Sequence, residues 1–139
     1  MTDTVIRKSL YLNATPEQVW AYLTDPEKLA LWFHKPTTRL EQGNDLKMYG
    51  AESGNLLIWG TVNTARRPEY LEYTFTIAPM GDAVSLVKWT LEEVADGTRL
   101  SLEHSGLPQG AEAFGLTLNL DKGWDEHIGR MRALLLESA

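Results

Sequence analysis

The spacing of apolar residues predicts one long amphipathic helix at the end of the chain, over residues 119–136. Apolar side chains recur there at steps of three and four residues, which places them on one helical face. The members of this stripe are Leu120, Trp124, Ile128, Met131 and Leu135. Such a helix needs a partner for its apolar face. We expect that partner to be a sheet formed by the preceding segments.

The segments before this helix alternate between apolar and polar residues, which is the pattern of half-buried strands. The clearest case is residues 69–77, in which one face carries Leu71, Tyr73, Phe75 and Ile77. The other predicted strands span residues 4–13, 56–64, 83–94 and 98–105, with two short strands inside 35–49. Asp96-Gly97 indicates a tight hairpin turn. The pattern predicts an antiparallel sheet of about six to seven strands.

Two short helices are predicted after the first strand. Thr15 can cap the first helix, Pro16 suits the first helical position, and Gln18 can complete a capping box. Asp25-Pro26 repeats the start signal for a second helix that runs to about Trp32. The buried side chains of these helices are expected to be Val19, Trp20, Leu23, Leu29, Trp32 and Phe33. The fold class is therefore α+β, in a single domain over residues 1–139.

Two segments leave alternatives open. The strand at 56–64 fits two registers, because Leu56, Ile58 and Val62 form one apolar face and Leu57 and Trp59 form the other. Residues 111–117 fit either a helical prelude or a loop, since Gly115 weakens helix propensity.

Composition narrows the range of functions. The chain has 139 residues, no cysteine and a net charge of −6. The absence of cysteine excludes disulfides and thiolate chemistry, and the negative charge argues against nucleic acid or an anionic membrane as the main partner. No apolar run approaches membrane-spanning length and no signal-peptide pattern opens the sequence. We expect a cytoplasmic protein.

No catalytic constellation is evident. His34, His104 and His127 lack metal-ligand spacing, so neither a metal nor a cofactor is predicted. Glu103 precedes His104 on a strand, where successive side chains point to opposite faces, so it cannot orient that imidazole. Ser101 and Ser105 fall on the opposite face from His104 as well, which argues against a serine triad.

His104 is the most suggestive single residue, because it falls on the apolar face of its strand. It is either a hydrogen-bonded core histidine or a polar anchor for a ligand in an apolar cavity. The aromatic residues aimed at the same face fit a packed core and a ligand pocket about equally well. The predicted ligand contacts are Trp32, Phe33, Trp59, Tyr73, Phe75, Trp89, Leu102, His104, Trp124 and Ile128.

Several motifs resemble a known family. The run Ala14-Thr15-Pro16-Glu17-Gln18-Val19-Trp20 resembles the opening of the START-like superfamily, also called SRPBCC. Its branch named after the activator of the heat-shock protein ninety ATPase is similar in Asp96-Gly97-Thr98-Arg99-Leu100, His104-Ser105-Gly106 and Gly123-Trp124. The resemblance implies the helix-grip fold, in which a curved antiparallel sheet wraps a long C-terminal helix and leaves a cavity between them.

Three kinds of function fit these residues and this resemblance. The first is a module that binds an apolar or aromatic small molecule in the cavity. The second is a co-chaperone-like domain that acts on a chaperone ATPase in the stress response. The third is a cyclase or dehydratase in which His104 and Tyr73 serve as acid and base. The chain departs from the common pattern at Arg67, where many relatives have a second proline before Pro68, and at the apolar residues 115–119. We expect a monomer or a homodimer.

Overall fold

The computed structural model describes residues 4–50, 53–110 and 113–138, with side chains described as far as 136. It contains three α-helices: α1 (Pro16–Thr24), α2 (Pro26–Trp32) and α3 (Phe114–Ser138). The strands are β1 (Ile6–Leu12), β2 (Lys35–Pro36), β3 (Asp45–Tyr49), β4 (Leu56–Arg66), β5 (Tyr70–Phe75), β6 (Ser85–Val94) and β7 (Gly97–Ser105). A short 3₁₀ turn, Ala78–Met80, lies between β5 and β6.

The seven strands form one antiparallel sheet in the order β1-β7-β6-β5-β4-β3-β2. Every connection from β2 to β7 joins neighbouring strands, and β1 closes the far edge by pairing with β7. The concave face carries the core and packs against α3. The predicted α+β fold, with two short helices after the first strand and a long C-terminal helix, is confirmed.

The two short helices begin at the predicted signals. The Gln18 backbone N–H donates to Thr15 Oγ1 at 3.2 Å, and the Thr15 N–H donates to Gln18 Oε1 at 2.8 Å, which completes the capping box. At α2, the Glu27 N–H donates to Asp25 Oδ1 at 3.2 Å. Each side chain satisfies a backbone donor that the first helical turn leaves free.

The last helix begins earlier than the apolar stripe alone predicts. It starts at Phe114 and not at residue 119, so the helical alternative holds for residues 114–117, while 111 and 112 lie outside the described part of the chain. Leu116 and Leu120 lie one turn apart and both pack against the core. Their burial extends the apolar face toward the N-terminus despite Gly115.

The register of β4 resolves in favour of the face that carries Leu56, Ile58 and Val62. Ile58 and Val62 are buried, whereas Leu56, at the start of the strand, is 41% exposed. Trp59 pairs across the ladder with the exposed Lys47, so its side chain lies on the convex face of the sheet. The prediction that Trp59 lines the inner wall is therefore wrong. The cause is the period of two along a strand, which sends neighbours to opposite faces.

The concave side of the sheet is filled by aromatic rings. Trp89 is fully buried and meets Trp32 edge to face, with ring centroids 6.0 Å apart. Trp124 of α3 also meets Trp89 edge to face, at 5.5 Å. The Trp89 indole N–H donates to the Tyr73 hydroxyl at 3.1 Å. This arrangement satisfies the polar atoms that the large rings carry into the core.

A chain of hydrogen bonds through His104 joins α3 to three strands. The Trp124 indole N–H donates to His104 Nδ1 at 3.0 Å, and His104 Nε2 lies 2.7 Å from Ser85 Oγ. The Ser85 hydroxyl donates to the Phe75 carbonyl at 2.6 Å. Because Nδ1 accepts and the Ser85 proton is used, the network assigns the His104 proton to Nε2. We call this set of four residues the His104 clamp.

We expect Gly60 to be required for the close approach of β4 to β5. A Cβ on Gly60 would lie 2.2 Å from the Thr74 carbonyl oxygen, so one strand must shift in Gly60→Ala. This should lower the free energy of unfolding by about 2 kcal/mol or more. Gly129→Ala is the matched control, because no atom lies within 4 Å of its Cβ position on the exposed side of α3. It should stabilise by about 0.5–1 kcal/mol. Urea denaturation measures both, and equal effects would contradict this role.

The His104 clamp predicts a pH dependence of stability. Burial lowers the pKa of His104 from 6.5 to about 4. Between these values the unfolded chain binds a proton that the folded protein does not, so the free energy of unfolding falls as the pH falls. At 1.36 kcal/mol per pKa unit, His104 should contribute on the order of 3 kcal/mol to that loss.

Urea unfolding of the wild type and His104→Gln across this pH window measures the effect. Above pH 6.5, where His104 is neutral in both states, the variant should be less stable by about 1–3 kcal/mol, because the clamp is broken. Its stability should then fall less steeply on acidification, since glutamine does not titrate. Parallel pH profiles for the two proteins would contradict the claim that titration of His104 lowers the stability on acidification.

Candidate functional site: an aromatic cleft beside the C-terminal helix

A cleft of about 410 Å³ opens between the first half of α3, the start of β4 and the turn after β5. We call it the aromatic cleft. Twelve of its fifteen lining residues are glycine, proline or have apolar side chains, and three are polar. The lining is Phe33, His34, Leu56, Leu57, Ile58, Phe75, Ile77, Ala78, Pro79, Leu116, Asn119, Leu120, Gly123, Trp124 and His127.

Three elements of the fold create this opening. The early start of α3 brings Leu116 and Leu120 to one wall. Opposite them, the chain leaves β5 after Phe75 and turns through Pro79, so no further strand residues fill the space. Gly123 faces the cleft with no atom within 4 Å of its Cβ position, which leaves room beside the helix.

Stacked rings form the floor of the cleft. Phe33 stacks on Trp124 with ring centroids 5.2 Å apart and planes at 27°, and it stacks on Trp32 from the other side at 5.2 Å. Phe75 closes the floor 6.1 Å from Trp124. Because these rings stack on one another and are at most 9% exposed, they offer the cleft a rigid apolar floor with little open ring face. Such a floor suits an apolar ligand.

Two of the three polar lining residues, His34 and His127, lie together at one end of the cleft, whereas Asn119 lies about two turns away on α3. His34 and His127 meet edge to face with ring centroids 5.3 Å apart, and the Arg130 guanidinium contacts His127 Nδ1. Burial lowers the pKa of His127 to about 4 and lowers that of His34 as well, with the charge of Arg130 acting in the same direction on both. Both imidazoles are therefore neutral at pH 7, and Arg130 carries the positive charge.

Only three of the predicted ligand contacts line the cleft: Phe33, Phe75 and Trp124. Six others lie in the packed core behind it, where their side chains are closed to solvent. They are Trp32, Tyr73, Trp89, Leu102, His104 and Ile128. Trp59 lies on the opposite face of the sheet. The two sequence alternatives are thus both realised, with a packed aromatic core in the interior and an aromatic-lined pocket at its open end.

His104 and Tyr73 are not placed for acid–base chemistry in the cleft. His104 has 0% of its surface exposed, and both ring nitrogens are engaged in the His104 clamp. The Tyr73 hydroxyl accepts from Trp89, and burial raises its pKa. The core-histidine alternative describes His104, because neither group reaches the cleft.

Several cleft residues were missed by the sequence analysis. His34 follows the end of α2 and carried no periodic signal, and Leu116 lay in the segment with an open assignment. His127 flanks the stripe of α3, three residues after Trp124, and that spacing could have placed it on the same side. Ser85, the partner of His104, is brought there by strand pairing alone.

Within residues 4–50, 53–110 and 113–138, no three histidine, cysteine or acidic side chains cluster in a way that could hold a metal ion. In the same part of the chain, no helix combines the length and the apolar character needed to cross a membrane.

Solved structures with the same fold include proteins from several bacteria. A protein of Mesorhizobium loti is 24% identical with a TM-score of 0.84, and the match covers 98% of this chain and 99% of that one. DynU16, from the dynemicin biosynthetic locus, is 23% identical with a TM-score of 0.82. The match covers 96% of this chain but only 48% of DynU16, so this chain spans about half its length. The Aha1 of Colwellia psychrerythraea, solved as a dimer, is 16% identical with a TM-score of 0.77 over 95% and 96% of the two chains.

A search of curated proteins found no match to the chain. The family model described as Activator of Hsp90 ATPase homolog 1-like protein matches residues 13–136, which is nearly the whole sequence. Together with the sheet wrapped around α3, this match confirms the resemblance drawn from the motifs. The chain belongs to the activator of Hsp90 ATPase homolog 1-like family and has the helix-grip fold of the START-like superfamily.

Proposed function

We propose that this protein binds an apolar, aromatic small molecule in the aromatic cleft. The observation that carries the proposal is the cleft itself, a space of about 410 Å³ lined mainly by apolar and aromatic residues, with three polar residues among them. Small-molecule sites occupy roughly 300–1,000 Å³ and have this mixture of walls and polar contacts. The structural similarity to DynU16, a protein of a biosynthetic locus, is compatible with a role in small-molecule metabolism.

The rigid aromatic floor favours an aromatic ligand, because aromatic rings also pack edge to face. Phe33 and Trp124 stack on each other with planes at 27°, and both line the cleft. Trp124 is held in place by its hydrogen bond to His104, so its ring does not need to be ordered when a ligand arrives. A rigid wall of this kind lowers the entropic cost of binding. Binding without turnover fits this site, because the predicted acid–base pair lies outside it.

We expect saturable binding of N-phenyl-1-naphthylamine, a neutral aromatic dye that becomes fluorescent in apolar surroundings. Gly123→Phe should weaken its binding more than tenfold, or by over 1.4 kcal/mol. The reason is that the new ring would project into the open space beside α3, where no atom lies within 4 Å of the Cβ position. A fluorescence titration with the purified proteins gives both dissociation constants.

Gly129→Phe is the matched control, because it makes the same change on the same helix outside the cleft, also with no atom near the Cβ position. It should bind the dye as the wild type does. Circular dichroism checks that both variants remain folded. Failure of the wild type to bind, or equal binding by all three proteins, would contradict the proposal.

A second candidate function is activation of a chaperone ATPase, favoured by an exposed apolar pair at the start of α3. Phe114 is 57% exposed and Leu118 is 55% exposed, one helical turn apart. An apolar patch next to polar surface is typical of protein contact sites.

If this pair contacts an ATPase of the heat-shock protein ninety type, an excess of the wild-type chain should stimulate ATP hydrolysis. Leu118→Asp should remove more than half of that stimulation, because it places a charge in the contact. Leu136→Asp is the control, since Leu136 is similarly exposed at the other end of α3. A coupled ATPase assay measures the rates. No stimulation by the wild type, or equal loss in both variants, would contradict this candidate.

A further inference from the structure

The polar end of the aromatic cleft has the chemistry of an anion site. We propose that the cleft selects aromatic ligands that carry one anionic oxygen group, such as a carboxylate, and holds this group at His127 and His34 in front of Arg130. This inference rests on the proposed function, because it names the class of ligand for the same cleft.

The contacts of His127 Nδ1 favour one tautomer. Nδ1 lies 3.1 Å from the Trp32 carbonyl oxygen, which only accepts, and is also contacted by Arg130 Nη2, which only donates. The Trp32 carbonyl has a second donor in Arg130 Nε at 3.4 Å, whereas among the described residues Arg130 Nη2 has His127 as its one hydrogen-bond partner. We therefore assign Nδ1 as the acceptor and the proton of His127 to Nε2. In this tautomer the ring end opposite Arg130 is a hydrogen-bond donor.

The ring nitrogens at the polar end of the aromatic cleft remain available for hydrogen bonds to a ligand. Within the part of the chain that the structure describes, neither ring nitrogen of His34 has a hydrogen-bond partner, and Nε2 of His127 has none either. Every fully buried side-chain nitrogen or oxygen in that part does have a partner, so these open nitrogens reach solvent. They lie on two side chains of the cleft lining. An acceptor on a bound ligand would satisfy them.

The polar end of the aromatic cleft lies beside the positive charge of Arg130. Among the described residues, no carboxylate lies within ion-pair distance of Arg130. Its contacts are the Trp32 carbonyl and His127, although the protein as a whole carries a net charge of −6. An anionic group near His127 would face this guanidinium and polarise the ring between them. A cationic ligand would be repelled by the same charge.

Two dyes with the same ring system isolate the contribution of the anion. N-phenyl-1-naphthylamine is neutral, and 1-anilinonaphthalene-8-sulfonate is the same molecule with one sulfonate. We expect the sulfonate dye to bind the wild type at least fivefold more tightly than the neutral dye, with an advantage that shrinks at high salt. Gly123→Phe should weaken both dyes, which places them in the cleft.

Arg130→Gln tests the charge itself. It should weaken the sulfonate dye at least fivefold and change the neutral dye by less than twofold, because only the charged group faces the guanidinium. Arg132→Gln is the matched control, since it removes the same charge two residues along α3, at a surface lined by Tyr11 and Leu136 and away from the cleft. It should leave both affinities unchanged.

The outcomes separate this inference from the proposed function. If neither dye binds the wild type, the proposed function fails and the inference fails with it. If both dyes bind equally and Arg130→Gln affects them equally, the aromatic cleft stands as a binding site but the anion preference is overturned. If Arg132→Gln has the same effect as Arg130→Gln, the preference reflects overall charge and not this site, and the inference is overturned as well.

Discussion

The buried imidazole of His104 is the constraint on which the position of α3 depends. An unpaired polar group in this core would cost on the order of 1–3 kcal/mol, so both ring nitrogens need partners. The fold supplies one from the helix, Trp124, and one from the sheet, Ser85. These two bonds set the depth and rotation of α3 against the strands. The ion pairs of Lys8 with Asp121 and Asp125 also join α3 to β1, but their carboxylates are half exposed and contribute less.

The same constraint decides where the space between helix and sheet is filled and where it is open. With Trp124 drawn toward His104, its ring meets Trp89 behind it and closes the interior. Phe33 stacks on the Trp124 ring at the floor of the cleft. Toward the N-terminus of α3 the cleft is lined by Leu116 and Leu120 without an aromatic ring, and Gly123 adds no side chain at all. The cleft therefore lies along the first half of the helix, where aromatic packing ends.

The sequence predicted the elements and most of the faces, because those follow from local periodicity and capping. Tyr73 and Phe75 were correctly assigned to one face, but a period of two does not show how deep each residue lies. Phe75 reaches the cleft, whereas Tyr73 is enclosed two residues earlier. At Trp59 both faces of the strand were apolar, and only pairing with β3 resolved the register. The contact between His34 and His127 joins residues far apart in the chain, so no local pattern could indicate it.

This division of the interior separates the residues that stabilise the fold from those that line the cleft. A change at Trp89 or His104 would disturb packing and hydrogen bonds in the core, so its effect on binding could not be separated from its effect on stability. Arg130 and Gly123 lie where a side chain can change without opening a cavity. The fold persists in a relative of 16% identity. Most positions can therefore differ while the C-terminal helix remains packed against the sheet. The ligand preference that we propose for the cleft is therefore best tested at its rim. Side chains there can be changed without repacking the core.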